Sequence, residues 1–372
     1  MSEFIPVNEP LLDGNEKKYL CECIESGWIS SEGPFIKRFE EAFAAQVRRK
    51  HGIAVSNGTT ALDAAIDALG IESGDEVIMP TFTIISCIGQ IIRLGATPVL
   101  VDSDPITWNM DVTQIEAKIT TRTKAIMAVH IYGLPVDMDP ILDIAKRHGL
   151  KVLEDAAEMH GQTYKGKPCG SFGDISTFSF YPNKHITTGE GGMIVINDDH
   201  IAEECRSLRN LCFQPQHRFV HERLGWNMRM TNMQAALGVA QLERLDDFVA
   251  RKKAMGQLYM ELLAETPGIQ LPLPVADYAE NIYWVFGMVL TDEIDFDAAE
   301  AMRRLSAKNI GSRPFFWPMH EQPVLKKMGL FAGEKYPVAE RMARRGFYLP
   351  SGMALTKEQI QQSAQALKEI LE

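Results

Sequence analysis

Cysteine is scarce and unclustered in this chain. The six thiols, Cys21, Cys23, Cys87, Cys169, Cys205 and Cys212, form no CxxC pair and have no histidine at metal-ligand spacing, which argues against a structural zinc site and a disulfide framework. Reduced thiols in a cytoplasmic protein are the expected state. The opening MSEFIPVNEPLLDG carries acidic residues and prolines where a secretion signal has basic residues and an apolar run, so no signal peptide is expected. Long hydrophobic runs are missing too. The longest uncharged stretch, Val77 to Ile92, is 16 residues broken by Pro80, too short and too polar for a membrane span. Positive charge is in deficit, with 38 Lys and Arg against 49 Asp and Glu, a net −11 that argues against a nucleic-acid surface. Internal repeats and low-complexity segments are absent.

What the sequence does contain is an alternation. Between residues 50 and 200, short apolar runs, IAVSN (53–57), EVIMP (76–80), TPVLVD (97–102), KAIMAVHIYG (124–133), LKVLEDA (150–156), DISTFSF (174–180) and GGMIVIND (191–198), read as strands. TALDAAIDAL (60–69), IISCIGQIIRLG (84–95) and VDMDPILDIAKRHG (136–149) lie among them with helical spacing. That order predicts a mostly parallel sheet with helices on both faces, whose ligands bind beyond the carboxyl ends of the strands. One long helix is expected from Thr231 to about Leu263, leading into a small α+β unit with a strand in NIYWVFGMVLT (281–291) and helices over 298–309 and 356–372. The expected division is a large domain over 1–245 and a small one over 246–372.

Three features converge on one chemistry. SNGTTAL (56–62) places Gly58 and Thr59 at a strand-to-helix turn, either an ordinary N-cap or a phosphate cradle that Ser179 can join. Asp155 ends an apolar strand, as a cap, a structural ion pair or the partner of a buried cation. Lys184 lies 29 residues on, in the hydroxyl-rich and glycine-rich FSFYPNKHITTGEGG (178–192) rather than on a charged helix face. An amine, a carboxylate and a phosphate cradle are what pyridoxal phosphate requires: the amine bonds its aldehyde and the carboxylate keeps its ring nitrogen protonated. Glu158 reads equally as a group facing the cofactor or as a turn cap, and His185 as a packing residue. Asn227 and Arg229 stand among apolar residues in GWNMRMTNMQAALG (225–238), Arg229 as half of an internal ion pair or as a site for a substrate carboxylate. SRPFFWPMH (312–320) is either an aromatic plug or a wall for a sugar or base, with Arg313, Phe316, Trp317 and His320 as its candidates. Arg223, Arg303 and Arg304 read as solvated surface groups.

These stretches, with IPVNEPLLDGNEKKYL (5–20), SGWISSEGPF (26–35), PTFTIISC (80–87), VHIYGLPVDM (129–138), EDAAEMHGQTYKG (154–166) and RNLCF (209–213), resemble the DegT/DnrJ/EryC1/StrS sugar aminotransferases over nearly the whole chain. The resemblance implies an α/β fold of the fold-type I pyridoxal phosphate class. It makes Lys184 the cofactor-bonding lysine and proton carrier, Asp155 the ring-nitrogen partner, and Gly58, Thr59 and Ser179 the phosphate ligands. Asn227 reaches the phosphate in the other subunit of an obligate homodimer with shared sites, and Arg229 takes the glutamate carboxylate. Many relatives carry Gln at Glu158 and an aromatic residue at Ile84, so stacking on the cofactor falls to Phe82 or to an aliphatic contact. The implied substrates are L-glutamate and a GDP-linked keto-sugar, GDP-4-keto-6-deoxy-D-mannose, aminated at C4 to GDP-perosamine for lipopolysaccharide O-antigen synthesis. A 3-dehydratase of the same sugar, which carries histidine at the lysine's place, is disfavoured by Lys184. An aminotransferase for another nucleotide-linked keto-sugar is the remaining alternative, and a regulatory relative is disfavoured by the retained lysine.

Overall fold

The computed structural model describes residues 3–214 and 216–372. Its main sheet is built from strands β1 (His51–Val55), β2 (Glu76–Pro80), β3 (Thr97–Val101), β4 (Thr123–Val129), β5 (Lys151–Asp155), β8 (Ile175–Ser179) and β9 (Gly192–Ile196); a hairpin of β6 (Thr163–Tyr164) and β7 (Lys167–Pro168) stands apart. The order is β1-β9-β8-β5-β4-β2-β3, and only β9 runs against the others. Alternate residues of each strand feed opposite faces. Ile53, Met127, Leu153 and Ile194 pack on one side under α3 (Gly58–Ala68), α4 (Ser86–Arg93) and α6 (Asp199–Arg209). Ala54, Ile126, Val152 and Met193 pack on the other under α2 (Pro34–Gln46), α5 (Met138–His148) and α7 (Asn232–Leu242). Burial on both faces is why the strands read as unbroken apolar runs. Helix α5 shows the local logic: Met138, Ile141, Ile144 and Ala145 form its buried stripe, Lys146, Arg147 and His148 complement its C-terminal dipole, and Gly149 ends it at φ 67°.

The helix expected over 231–263 is two helices. Helix α7 stops at Leu242 and α8 (Leu245–Leu263) begins after Arg244, whose φ and ψ of −118° and 14° break the run. No Gly or Pro marks the break; distant partners hold it. The Glu243 carboxylate accepts from Tyr19 Oη and Asn15 Nδ2, each at 2.7 Å, and pairs with Arg38, while Arg244 pairs with Asp13. These partners belong to α1 (Glu16–Ser26), its lead-in and α2, which the local pattern cannot anticipate.

A second sheet, all antiparallel, runs β10-β13-β15-β14 from β10 (Ile269–Gln270), β13 (Phe286–Leu290), β14 (Arg313–Pro314) and β15 (Gly346–Leu349), with a separate hairpin of β11 (Val275–Ala276) and β12 (Ala279–Glu280). Its core joins Met255, Tyr259 and Leu263 of α8 to Leu305 of α9 (Ala298–Ala307) and Leu367 of α12 (Lys357–Leu371). Helices α10 (Pro323–Lys327) and α11 (Pro337–Arg345) bring Leu325, Ala339 and Met342 against the first core instead. The N-terminal segment reaches this part of the molecule, with Ile5 bridged to Ile310 and Val7 O accepting from Ser351 N at 2.9 Å. No described helix is long and apolar enough to cross a membrane.

Candidate active site

At the carboxyl end of β1 the chain turns into α3 through a capping box. The Asn57 side chain accepts from Thr60 N at 2.9 Å, and Thr60 Oγ1 accepts from Asn57 N at 3.2 Å. Gly58 and Thr59, in the first turn where helix amides have no intrahelical partner, line a cavity of about 670 Å³ at the positive end of the helix. A Cβ on Gly58 would lie 2.7 Å from Ser179 Cβ, so glycine keeps open the gap between α3 and the end of β8. Ser179, Thr59 and Ser86 add hydroxyls there, the last two 2.9 Å apart.

Asp155 enters the same cavity from the middle of the sheet, where β5 lies between β4 and β8. Its Oδ1 accepts from Ala157 N at 3.1 Å and its Oδ2 from the Cys87 thiol at 3.3 Å, but no cationic side chain of the described residues is within ion-pair distance. Burial raises its carboxyl above the ordinary range, against the opposing pull of these donors and of Lys184. Such a carboxylate suits a cationic ring nitrogen.

Lys184 completes the wall from the loop between β8 and β9, where a turn closes from Lys184 N to Tyr181 O at 2.9 Å. Its Nζ is 3.7 Å from Glu158 Oε1 and 3.9 Å from the centre of the Trp284 ring. Burial lowers the amine from its ordinary value, against Glu158 and Asp155, and pushes Glu158 up to about 8. Glu158 also accepts at 2.6 Å from the amide of Tyr132, a residue at φ 55°. The carboxylate thus ties the lysine to a turn that L-residues rarely adopt. Trp284 is fixed in turn by its indole N–H, which donates to Asn183 O at 2.7 Å.

The DegT/DnrJ/EryC1/StrS aminotransferase family model matches residues 10–368. The chain belongs to this family. It is 46% identical over 367 residues to GDP-perosamine synthase of Caulobacter vibrioides, covering 99% of this chain and 98% of that protein. It is 44% identical to GDP-perosamine synthase of Escherichia coli O157:H7, covering 96% of each. Among solved structures, an aminotransferase from Psychrobacter cryohalolentis superposes with a TM-score of 0.91 at 31% identity, covering 99% of this chain and 98% of that one.

One cavity therefore brings together Gly58, Thr59, Asp155, Glu158, Ser179, Lys184 and Phe316. The other sequence candidates lie elsewhere. Phe82 is fully buried behind the wall, edge-on to Tyr132 and Phe316 with centroids 6.1 and 5.8 Å away, whereas Ile84 lines the cavity. Asn227 is exposed, and Arg229 lines a separate, arginine-rich pocket with Arg206, Arg209 and Arg218, donating to Asn210 Oδ1 at 2.7 Å. Arg313 is exposed, and Trp317 is half-exposed beneath the Arg344 guanidinium. His320 is buried between Thr81 Oγ1 at 2.9 Å and Glu340 at 3.1 Å. Sequence reading missed Trp284, Tyr348, Thr83, Thr177 and His130 in the cavity wall. Trp284 and Tyr348 come from the second sheet's segments, whose approach to the first sheet has no local signature.

Proposed function

We propose that the chain is a pyridoxal phosphate-dependent aminotransferase moving the amino group of L-glutamate to C4 of GDP-4-keto-6-deoxy-D-mannose, giving GDP-perosamine for polysaccharide synthesis. The observation that carries this reading is the one cavity that holds the Lys184 amine, the Asp155 carboxylate, which has no cationic partner among the described residues, and the start of α3. The residues fit the cofactor. The Gly58 and Thr59 amides with Ser179 would hold its phosphate, Asp155 would keep its ring nitrogen protonated, and Lys184 would supply the amine for its aldehyde. The bound cofactor supplies a carbonyl for the incoming amine and a ring that accepts electrons from the substrate carbon. Lys184, its amine lowered by burial, moves the proton in both half-reactions. Trp284, Phe316 and Tyr348 exclude water from one side. The choice of a GDP-linked sugar is supported by the two full-length GDP-perosamine synthase relatives.

A homodimer with shared sites accounts for residues the chain's own cavity leaves out. Asn227 and Arg229 sit away from it, beside a segment whose Phe219 and Leu224 are 80% and 90% exposed. Apolar surface of this kind, next to an arginine-rich pocket, suits an interface. Arg229 then receives the glutamate carboxylate, and Asn227 the cofactor phosphate, in the partner's cavity. A cytoplasmic location agrees with the six unpaired thiols. The two-domain division proposed here falls near residue 245.

A panel of GDP-, dTDP- and UDP-linked 4-keto-sugars with glutamate tests the reading, scoring 2-oxoglutarate release and product mass. The expected result is an amine on the GDP-mannose-derived sugar, lost in Lys184→Ala. Ammonia release with deoxygenation at C3 would establish a dehydratase, and preference for a dTDP or UDP sugar would reject the substrate.

A further inference from the structure

A second lysine lies inside the molecule, in no motif. Lys252 of α8 is 2% exposed, and among the described residues no carboxylate pairs with it. Its ammonium donates to two backbone carbonyls, Trp284 O at 2.8 Å and Ser351 O. A buried ammonium loses several kcal/mol of hydration, about what two carbonyl acceptors offset only in part, so an apolar residue would suit stability alone better. Burial lowers Lys252 to about 7, with the charge of Lys184 adding to the shift. The two amines therefore share one low-dielectric region.

What Lys252 holds is next to the reacting amine. Trp284 precedes β13, and its ring face is 3.9 Å from Lys184 Nζ. Its indole N–H is fixed to Asn183, the residue before Lys184, and its ring stacks at 5.8 Å on Tyr132, whose amide is held by Glu158. The second carbonyl belongs to Ser351, just past β15, whose Oγ accepts from Phe286 N at 2.9 Å. One ammonium thus ties α8, the start of β13 and the end of β15 together behind the indole.

We propose that Lys252 is a positioning residue which, by donating to the carbonyls of Trp284 and Ser351, holds the Trp284 ring against the Lys184 amine. Resting on Lys184 as the cofactor-bonding amine, the proposal adds a group that sets how that amine is presented. The ring shields one side of the amine from water and restricts where it can point. A loosened ring leaves Lys184 free to reorient.

A double-mutant cycle separates this role from plain stability. Lys252→Met keeps an unbranched buried stem and removes the donors; Trp284→Leu removes the ring. The readouts are the rate at which added pyridoxal phosphate bonds Lys184, followed by its lysine-dependent visible band, and kcat and KM for glutamate. Each single variant is expected to slow bonding and kcat by about tenfold with little change in KM, and the double variant to be no slower than the slower single one. A wild-type rate in Lys252→Met, or a double variant slowed by about a hundredfold, would overturn the proposal. Should the Met variant not fold, Lys252→Gln, with two N–H donors on a shorter stem, enters the same cycle: coupling to Trp284 supports the role and independence overturns it. Absence of the visible band in the wild type would instead refute the reading of Lys184.

Discussion

Lys184 Nζ and Glu158 Oε1 face each other at 3.7 Å, with side chains only 10% and 7% exposed. Burial works against both charges, lowering the lysine and raising the glutamate, so the pair is a poor source of stability despite its opposite signs. Its place is at the cavity wall, where an amine that loses its proton readily is a better nucleophile.

The pair predicts a pH signature for the cofactor-free protein. Glu158 is raised from 4.5 to about 8, so between those values the unfolded chain releases a proton that the folded chain retains. Stability therefore falls as pH rises through that window. Glu158→Gln removes the titration, and its stability relative to wild type should improve by on the order of 2 kcal/mol between about pH 5 and pH 8. Urea unfolding at the two pH values checks this; a constant gap between variant and wild type would refute it.

Gly58 is expected to tolerate nothing larger. Alanine there places a Cβ 2.7 Å from Ser179 Cβ, which forces α3 and β8 apart at the point where the phosphate is read as bound. Overpacking of about 1–3 kcal/mol corresponds to a roughly ten- to hundredfold weaker hold on pyridoxal phosphate, measured by equilibrium dialysis. Unchanged affinity in a folded Gly58→Ala protein would remove the cradle from this turn.

Shared sites predict complementation. Lys184→Ala and Asn227→Ala chains, each inactive alone, should regain about a quarter of wild-type activity when mixed equally and allowed to exchange, since half the dimers then carry one intact site of two. An active monomer in sedimentation, or mixed dimers without activity, would count against this arrangement.

Asp155, Lys184 and the Gly58–Thr59 turn were legible as a set because strand ends and glycine-rich turns are local signals. Unbroken apolar runs alternating with amphipathic helical stretches likewise made the α/β class readable. Phe82 and Ile84 mark a limit: both are apolar residues after β2, and only packing puts Ile84 in the wall and Phe82 behind it. The break at Glu243–Arg244 is another, since its cause is a set of ion pairs to residues more than two hundred positions earlier.

By itself the sequence pointed to the chemistry through an amine, a carboxylate and a small-residue turn, at spacings set by strands and loops that short-range propensity fixes. Only the tertiary structure decided what surrounds them. That Trp284 lies on Lys184 and that Lys252 donates to the Trp284 carbonyl depend on how the second sheet docks on the first. Such docking is settled by the sum of many weak apolar contacts across long sequence separations, and no single stretch of residues records it.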